Sequence, residues 1–362
     1  MKKFILSGGG TGGHIYPAIA IANELKRRYP NAEFLFVGAQ GKMEMQKVPQ
    51  EGYRIVGLPI RGLQRKISLD TLFFPFRLLY SLWKACKIIK DFQPDIVIGT
   101  GGYASAPTLK AAQWLGVPYF IQEQNSYAGI TNKWVAKGAK GIFVAYEQME
   151  RFFPHTSIFL TGNPIREDLI QLKNKDTDAF AHFSLDPTVF TLLVLGGSLG
   201  ARKINELVDT YLTDFKERKI QVLWQCGKLY YEEYKGRESQ EVRIVPFIED
   251  MKAAFSIADV IISRAGASTV SELAVVGKPV IFIPSPNVAE DHQRKNAQAI
   301  VDKNAALLLK ETAIQTQFLP LLDELHQHAQ KREELSENFK KLAHPQATQE
   351  IIDQIIKIKD KI

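Results

Sequence analysis

The feature that most constrains the fold is a unit of strand, glycine-rich loop and helix near the start of each half of the chain. The first unit spans residues 4–13 and leads into an amphipathic helix over residues 15–28, and the second spans residues 192–200. Short apolar runs separated by helical stretches follow each unit, a pattern typical of parallel sheets that helices cover on both faces. The sequence therefore predicts an α/β protein.

The predicted strands are short runs of apolar and β-branched residues. In the first half they are residues 3–7, 33–37, 96–98, 118–122, 142–145 and 158–161. In the second half they are residues 191–195, 221–225, 242–245, 260–263, 280–283 and 306–309.

The length of 362 residues predicts two domains, because one hydrophobic core stops growing at about 250–300 residues. Glycine and proline interrupt the last strand of the first half at Gly162-Asn163-Pro164. We therefore expect a first domain over residues 1–166 and a second over residues 167–345. The apolar positions of residues 346–362 predict a terminal helix that could return to the first domain.

Charge is distributed unevenly between the two halves. Residues 1–166 carry a net charge of +11 and the remainder −4, which predicts an anionic partner for the first half. No zinc module, recognition helix or aromatic RNA-binding motif is recognisable, so nucleic acid is not expected. Residues 72–83 are strongly apolar and have basic neighbours. They fit an anionic membrane surface and a buried helix equally well.

The cysteines and the apolar runs bear on where the chain resides. Cys86 and Cys226 are far apart and show no metal-ligand spacing, so we expect reduced thiols in a cytosolic protein. The N-terminal apolar run is too short for a signal peptide, and no run reaches the length of a membrane span.

The first glycine-rich loop matches a dinucleotide-binding pattern only in part. Gly8, Gly10 and Gly13 have the spacing of that fingerprint, and a helix start behind such a loop favours anions. A dehydrogenase would also need an acidic residue at the end of the second strand, where this chain has Ala39 and Gln40. His14 follows the loop, where an imidazole suits removal of a hydroxyl proton, although it could equally cap the helix.

Other polar and small residues follow predicted strands, at the sheet edge where α/β proteins bind ligands. They are Gly99–Ser105 and Glu123–Asn125 in the first half, and Gly196–Arg202, Arg264–Glu272 and Glu290–Gln293 in the second. Glu272 could accept two ribose hydroxyls, and the small residues before it leave main-chain N–H groups open to phosphate. Asp176 and Asp178 form the only plausible acidic metal pair, but no strand precedes them, so no metal site is expected.

Together these motifs resemble one family closely, the MurG glycosyltransferases of peptidoglycan synthesis. The segments that carry the resemblance span nearly the whole chain in order: residues 8–17, 99–105, 123–133, 161–166, 196–205, 247–251, 264–272 and 291–297. The resemblance implies a GT-B fold of two Rossmann-like domains facing across a cleft. It also implies an inverting, metal-independent enzyme without a cofactor, peripheral at the cytoplasmic face of the bacterial plasma membrane.

The activity that the resemblance implies is transfer of GlcNAc from UDP-GlcNAc to the 4-hydroxyl of MurNAc in the undecaprenyl-linked pentapeptide, lipid I, giving lipid II for cell-wall growth. The second half would then hold the donor and the first half the lipid-linked acceptor. The resemblance implies these site residues: His14 and Glu123 for catalysis, and Thr11, Gly12, Gly13, Asn125, Arg166, Ser198, Ile248, Ala267, Ser268, Thr269, Val270, Ser271, Glu272 and Gln293 for substrate binding.

One position departs from the family pattern. The family commonly has histidine where this chain has Gln122, and because glutamine does not titrate, no proton transfer is expected there. Two other functions stay open at this stage. A GT-B-like epimerase would act on UDP-GlcNAc without an acceptor, and a non-catalytic module would only bind a nucleotide sugar or a lipid.

Overall fold

The structure, a computed structural model, describes residues 1–62, 73–154, 156–166, 169–170, 172, 175–197, 199–288 and 291–361. Its contacts divide the chain into two compact units, each described by itself. Unit 1 comprises Met1–Ile165 and Gln346–Ile362, and unit 2 comprises Arg166–Pro345.

Unit 1 is built on a parallel sheet of seven strands with the order β3-β2-β1-β4-β5-β6-β7. The strands are β1 Lys3–Gly8, β2 Glu33–Ala39, β3 Arg54–Leu58, β4 Ile96–Gly101, β5 Tyr119–Glu123, β6 Gly141–Val144 and β7 Ile158–Leu160. The helices are α1 Gly12–Arg28, α2 Glu44–Gln50, α3 Phe74–Phe92, α4 Ser105–Trp114 and α5 Ile130–Val135, together with the terminal helix, Ala347–Lys359.

The side chains of each strand alternate between two cores, one on either face of this sheet. Ile5 and Val97 belong to the core beneath α3 and α4, whereas Phe4 and Phe36 belong to the core beneath α1. The terminal helix completes the second core with Ile351, Ile352 and Ile355, all fully buried.

A cluster of charged residues connects α1 to the terminal helix. Arg27 and Arg28 both donate to the buried Glu24, and Arg28 also pairs with Asp353 of the terminal helix. The hydrogen bond from Arg27, with help from Arg28, lowers the pKa of Glu24 below its usual value although burial opposes the shift.

Unit 2 has a parallel sheet of six strands with the order β10-β9-β8-β11-β12-β13. The strands are β8 Phe190–Leu195, β9 Ile220–Gln225, β10 Val242–Val245, β11 Val260–Ser263, β12 Val280–Phe282 and β13 Leu307–Leu308. The helices are α6 Thr177–Phe183, α7 Arg202–Thr210, α8 Leu212–Glu217, α9 Tyr231–Tyr234, α10 Met251–Ile257, α11 Ala267–Val276, α12 His292–Val301, α13 Ile314–Gln327 and α14 Ala329–Lys340; the terminal helix of unit 1 is α15.

Each of the twelve predicted strands overlaps a strand of the structure, and both sheets are parallel. The sequence prediction missed β3, an edge strand that begins with the exposed Arg54 and contains Gly57. An edge strand buries less of its surface, so its apolar pattern is weaker than that of a central strand.

Candidate functional site

Two glycine-rich loops interlock at the carboxyl edge of the unit 1 sheet. The first loop follows β1, and the second begins within the last residues of β4. These two strands are neighbours in the sheet. The N–H of Gly9 donates to the main-chain oxygen of Gly101 over 3.3 Å. A Cβ at Gly102, where φ is +83°, would lie 2.1 Å from the main-chain oxygen of Gly9, so no side chain fits between the loops.

His14 lies in the first turn of α1 and is held against the second loop. Its Nδ1 atom lies 2.9 Å from the main-chain oxygen of Thr100 and 2.9 Å from Oε1 of Gln124. Both of these oxygens accept hydrogen bonds, so Nδ1 carries the proton. A neutral imidazole with its proton on Nδ1 has its free lone pair on Nε2, which can therefore accept a proton.

The amide of Gln124 connects His14 to a buried polar network. Its Nε2 atom donates to the main-chain oxygen of Thr100 over 2.7 Å, which turns its oxygen towards His14. Gln124 also donates to the side-chain oxygen of Gln122, and Gln122 donates to Asn163 over 2.8 Å. Gln122, the position that departs from the family pattern, thus has a hydrogen-bonding role here.

Glu123 is 1% exposed, and its carboxylate shapes the loop after β5. One oxygen accepts the main-chain N–H of Asn125 over 3.0 Å, and the other accepts the N–H of Gly129 and the amide of Asn132. The Asn125 side chain also donates to Glu123, over 3.3 Å. Both oxygens are therefore engaged in holding the loop that carries Asn125.

Thr11, Gly12 and Gly13 form the start of α1. Thr11 is the residue before the helix and has extended backbone angles, and its main-chain oxygen accepts the N–H groups of His14 and Ile15. Gly12 and Gly13 occupy the first turn, where N–H groups have no acceptor within the helix. This arrangement suits polar oxygen atoms of a ligand.

In unit 2, the loop between β8 and α7 packs against the turn after β9. Gly200 and Gly227 both have positive φ, and a Cβ at Gly227 would lie 2.1 Å from the Cα of Gly200. The buried Asn205 fixes α7 to the same turn by donating to the main-chain oxygen of Cys226 over 2.9 Å. Ser198, a predicted diphosphate contact in this loop, lies outside the described residues.

The predicted diphosphate-binding residues Ala267, Ser268, Thr269, Val270 and Ser271 form the first five positions of α11. Val270 and Ser271 direct polar groups back into the helix, since the Val270 N–H donates to Gly266 and the Ser271 hydroxyl to Ala267. The Ser268 hydroxyl is buried and has no hydrogen-bond partner among the described residues. A buried hydroxyl without a partner is costly, so a ligand oxygen at this helix start would be favourable.

Arg166 and Glu272 form an ion pair within unit 2. The Arg166 Nε atom lies 3.1 Å from Oε1 of Glu272, and the two side chains are 43% and 20% exposed. Both residues are predicted from the sequence to bind the donor. A ribose whose hydroxyls donate to the Glu272 carboxylate would therefore compete with the arginine for it, or share it.

The two remaining predicted donor contacts also lie in unit 2. Ile248 is 2% exposed and sits beside Phe247, whose ring is 44% exposed. Gln293 is in the first turn of α12, and its side-chain oxygen accepts the N–H of Ser285 over 2.9 Å. Its amide nitrogen therefore remains available to donate.

Within the described ranges, no group of three or more His, Cys, Asp or Glu side chains could hold a metal ion. Asp176 precedes α6 and accepts the N–H of Asp178 over 3.1 Å, the role of a helix cap.

The structure shows which face of the apolar segment at residues 72–83 is buried; Leu72 lies outside the described residues. Ser81, Leu82, Ala85 and Ile89 of α3 are buried in unit 1. The opposite face exposes large apolar side chains: Phe73, Phe76, Leu79, Tyr80 and Trp83, each more than half exposed. Trp114 of α4 and Ile130 and Trp134 of α5 are also exposed, which was not predicted from the sequence. We call the five exposed residues at positions 73, 76, 79, 80 and 83 the aromatic surface. No helix in the described part of the chain has the length and apolar content to cross a membrane.

Comparison with known proteins covers both units. The chain matches the Glycosyltransferase family 28 N-terminal domain over residues 4–144 and the Glycosyltransferase family 28 C-terminal domain over residues 191–351. A relative from Flavobacterium psychrophilum is 58% identical over 98% of this chain and 97% of its own length. A second, from Parabacteroides distasonis, is 49% identical over 100% of both chains. Both are named UDP-N-acetylglucosamine–N-acetylmuramyl-(pentapeptide) pyrophosphoryl-undecaprenol N-acetylglucosamine transferase.

The crystal structure of MurG from Acinetobacter baumannii matches 99% of this chain and 100% of that chain, with 29% identity and a TM-score of 0.82. The chain belongs to the MurG family. The predicted fold class, a GT-B glycosyltransferase with two parallel-sheet units, is thereby confirmed. A UDP-GlcNAc 2-epimerase from Neisseria meningitidis also matches 99% of this chain, with 14% identity and a TM-score of 0.69, and shares the fold alone.

Proposed function

We propose that this chain transfers GlcNAc from UDP-GlcNAc to the 4-hydroxyl of MurNAc in undecaprenyl-diphosphate-MurNAc-pentapeptide, and so makes lipid II. The observation that carries the proposal is the 58% identity, over nearly the full length of both chains, to a transferase named for these substrates. The proposal assigns the acceptor to unit 1 and the donor to unit 2, and it requires neither a cofactor nor a metal ion.

The donor site that we propose lies at the carboxyl edge of the unit 2 sheet. The first turn of α11, Ser198 and Arg166 bind the diphosphate, Glu272 the ribose, the main chain at Ile248 the uracil, and Gln293 the GlcNAc hydroxyls. The buried hydroxyl of Ser268, which has no hydrogen-bond partner in the part of the chain that the structure describes, supports the diphosphate assignment. One helix start contributes about 0.3–2 kcal/mol towards an anion, whereas a preorganised donor in a dry site contributes about 3–4 kcal/mol, so several donors together can stabilise the leaving UDP.

His14 is the general base in this proposal. Its Nε2 atom takes the proton from the MurNAc 4-hydroxyl while that oxygen attacks C1 of GlcNAc. The bond from C1 to the diphosphate oxygen breaks, its electron pair leaves with UDP, and the configuration at C1 inverts. The hydrogen bond from Nδ1 to Thr100 supports this role because it leaves Nε2 free to accept a proton.

Glu123 and Asn125 act together in this account. The carboxylate of Glu123 holds the loop, and Asn125, with Thr11, Gly12 and Gly13, contacts the sugars. The hydrogen bonds between Glu123 and Asn125 support the positioning role. Direct proton transfer by Glu123, the other prediction from the sequence, would require its carboxylate to release at least one of these bonds.

We propose that the aromatic surface rests on an anionic membrane, at the cytoplasmic face of the plasma membrane. The exposed Lys87 and Lys90 lie on the same helix as Phe76 and Trp83. Apolar rings next to lysines suit the interface between acyl chains and anionic headgroups. A surface at this position would bring unit 1 to a lipid-linked acceptor. The proposal does not include a nucleic-acid partner.

The release of UDP distinguishes this function from epimerisation. A transferase releases UDP in proportion to added lipid I analogue, whereas an epimerase would convert UDP-GlcNAc without any acceptor. We expect release that requires the acceptor. Release at the same rate without acceptor would contradict the transferase proposal and favour the epimerase.

A further inference from the structure

Glu44 is a buried carboxylate to which the proposed reaction gives no role. It begins α2, its side chain is fully buried, and it follows β2 by five residues. Ala39 and Gln40, at the end of β2, are not acidic, so the first glycine-rich loop matches a dinucleotide-binding pattern only in part. In the structure, the carboxylate of Glu44 reaches the end of β2, but it lies inside the protein.

The carboxylate of Glu44 joins the first glycine-rich loop to the end of β2. One oxygen accepts the N–H of Gly10 over 3.0 Å, and the other accepts the N–H of Ala39 over 2.9 Å. An ionised carboxylate has only acceptors to offer, and here each oxygen has a donor. A glutamine could satisfy only one of these two donors, because its amide nitrogen would face the other N–H.

Two glycines make room for this carboxylate. A Cβ at Gly9 would lie 2.1 Å from Oε1 of Glu44, and a Cβ at Gly38 would lie 2.6 Å from its Cγ. Gly9 is also the residue whose N–H donates to Gly101, and a Cβ at Gly101 would lie 2.8 Å from Nδ1 of His14. A continuous chain of contacts therefore runs from Glu44 through Gly9 and Gly101 to His14.

In a phosphate-binding loop, main-chain N–H groups face the anion of the ligand. Here the N–H of Gly10 faces an anion that belongs to the protein. A ligand phosphate at that N–H would have to displace the carboxylate or lie beside a like charge, which is unfavourable.

We propose that Glu44 is the internal anion of the first glycine-rich loop and a positioning residue for the acceptor side of the site. It fixes Gly10 in its left-handed conformation, keeps the loop pressed against Gly101, and leaves the start of α1 as the part of the loop that meets substrate. The proposal rests on the transferase function proposed above.

The test compares Glu44→Gln with Glu51→Gln, a matched control in which the exposed glutamate after the same helix loses the same charge. Hydrogen exchange of the peptide covering Gly8–His14 reports on the loop whether or not the chain transfers GlcNAc. We expect faster exchange in Glu44→Gln and wild-type exchange in Glu51→Gln. Equal exchange in the two variants would overturn the proposal.

The kinetic arm uses a lipid I analogue and UDP-GlcNAc. Loss of one buried hydrogen bond to a charged group predicts a fall of about tenfold or more in kcat/KM for the acceptor, with the KM for UDP-GlcNAc within about twofold of wild type. An unchanged acceptor kcat/KM would overturn the positioning role even if exchange is faster. Failure of the wild-type chain itself to transfer would count against the proposed function, and the exchange result would still decide the role of Glu44 in the loop.

Chemical rescue tests whether an anion is what the loop requires. Glu44→Ala leaves two N–H groups and a cavity, so formate should restore transfer saturably, whereas chloride at equal ionic strength should not. Absence of rescue would overturn the internal-anion assignment. If Glu44→Ala does not fold, Gly9→Ala takes its place: it displaces the carboxylate without removing its charge and should reproduce the acceptor defect. Gly236→Ala, where an added Cβ meets nothing within 4 Å, is its control. A wild-type acceptor kcat/KM for Gly9→Ala would overturn the assignment.

Discussion

The Nδ1 atom of His14 donates to the main-chain oxygen of Thr100 over 2.9 Å. This bond sets which nitrogen of the ring carries the proton, and it leaves Nε2 as the atom that can take a proton from an acceptor hydroxyl.

The substitution His14→Asn distinguishes the hydrogen-bonding role of Nδ1 from the proton-accepting role of Nε2. The asparagine amide can still donate to Thr100, but it provides no base. We expect kcat to fall by about 10²–10⁴, the usual contribution of a general base, while the affinity for UDP stays at the wild-type value. Steady-state kinetics and calorimetry measure these two quantities. Transfer at the wild-type rate would remove His14 from the reaction and leave Glu123 or a water molecule as candidates.

Gly102 tests whether the two loops of unit 1 must interlock. Gly102→Ala places a methyl group 2.1 Å from the oxygen of Gly9, whereas Gly116→Ala, also at positive φ, meets nothing within 4 Å. Both substitutions should lower the free energy of unfolding by a similar amount, about 1 kcal/mol, because alanine is strained at positive φ. We expect a large loss of transfer only in Gly102→Ala, measured by UDP release at equal concentrations of folded protein. Equal losses would show that backbone strain, not the contact between loops, limits activity.

Glu272 tests the assignment of the donor to unit 2. Glu272→Gln removes the charge that pairs with Arg166 and weakens hydrogen bonds to a ribose, so we expect the KM for UDP-GlcNAc to rise about tenfold. The stability should change by at most about 1 kcal/mol because the pair is partly exposed. Glu206→Gln, which breaks the exposed pair with Lys203 in the same unit, is the control. A wild-type KM in Glu272→Gln would contradict the ribose assignment.

The aromatic surface predicts binding to anionic vesicles. Phe76 and Trp83 are 68% and 58% exposed, so replacing both by serine should leave folding intact and weaken vesicle binding about tenfold or more. Co-sedimentation with vesicles that contain anionic phospholipid measures this, and added salt should weaken the wild-type binding. Leu229→Ser, an equally exposed position in unit 2, is the control. Undiminished binding of the double variant would exclude this surface.

Much of the fold was predictable because central parallel strands are apolar on both faces. The strand over residues 260–263 was predicted with the bounds that the structure shows. Edge strand β3 was missed because Arg54 and Gly57 interrupt the run of apolar residues that indicates a strand. The sequence could not show which side of α3 is exposed, because aromatic residues occur both on solvent-facing surfaces and in cores. The burial of Ala85 and Ile89 in the structure identifies the inner side, and so the exposed side.

Glu44 was missed for a different reason. A glutamate just after a strand and a short turn is usually a surface residue, and no local pattern predicts that its carboxylate reaches back to Gly10. The sequence features related to the buried position of Glu44 are Gly9 and Gly38, because their lack of side chains leaves space for its carboxylate. Likewise, the hydrogen bonds between Glu123 and its own loop depend on how residues 125–132 fold back, which spacing alone does not specify.

Transfer in the presence of EDTA tests the central claim most directly. The purified chain is incubated with UDP-GlcNAc, a short-chain lipid I analogue and EDTA, and the product is analysed by mass spectrometry and by the proton NMR of its anomeric centre. The account predicts one added GlcNAc, β-linked to the 4-oxygen of MurNAc, together with one UDP for each acceptor consumed. No disaccharide from a folded preparation that binds UDP, or a product with retained α configuration, would contradict it.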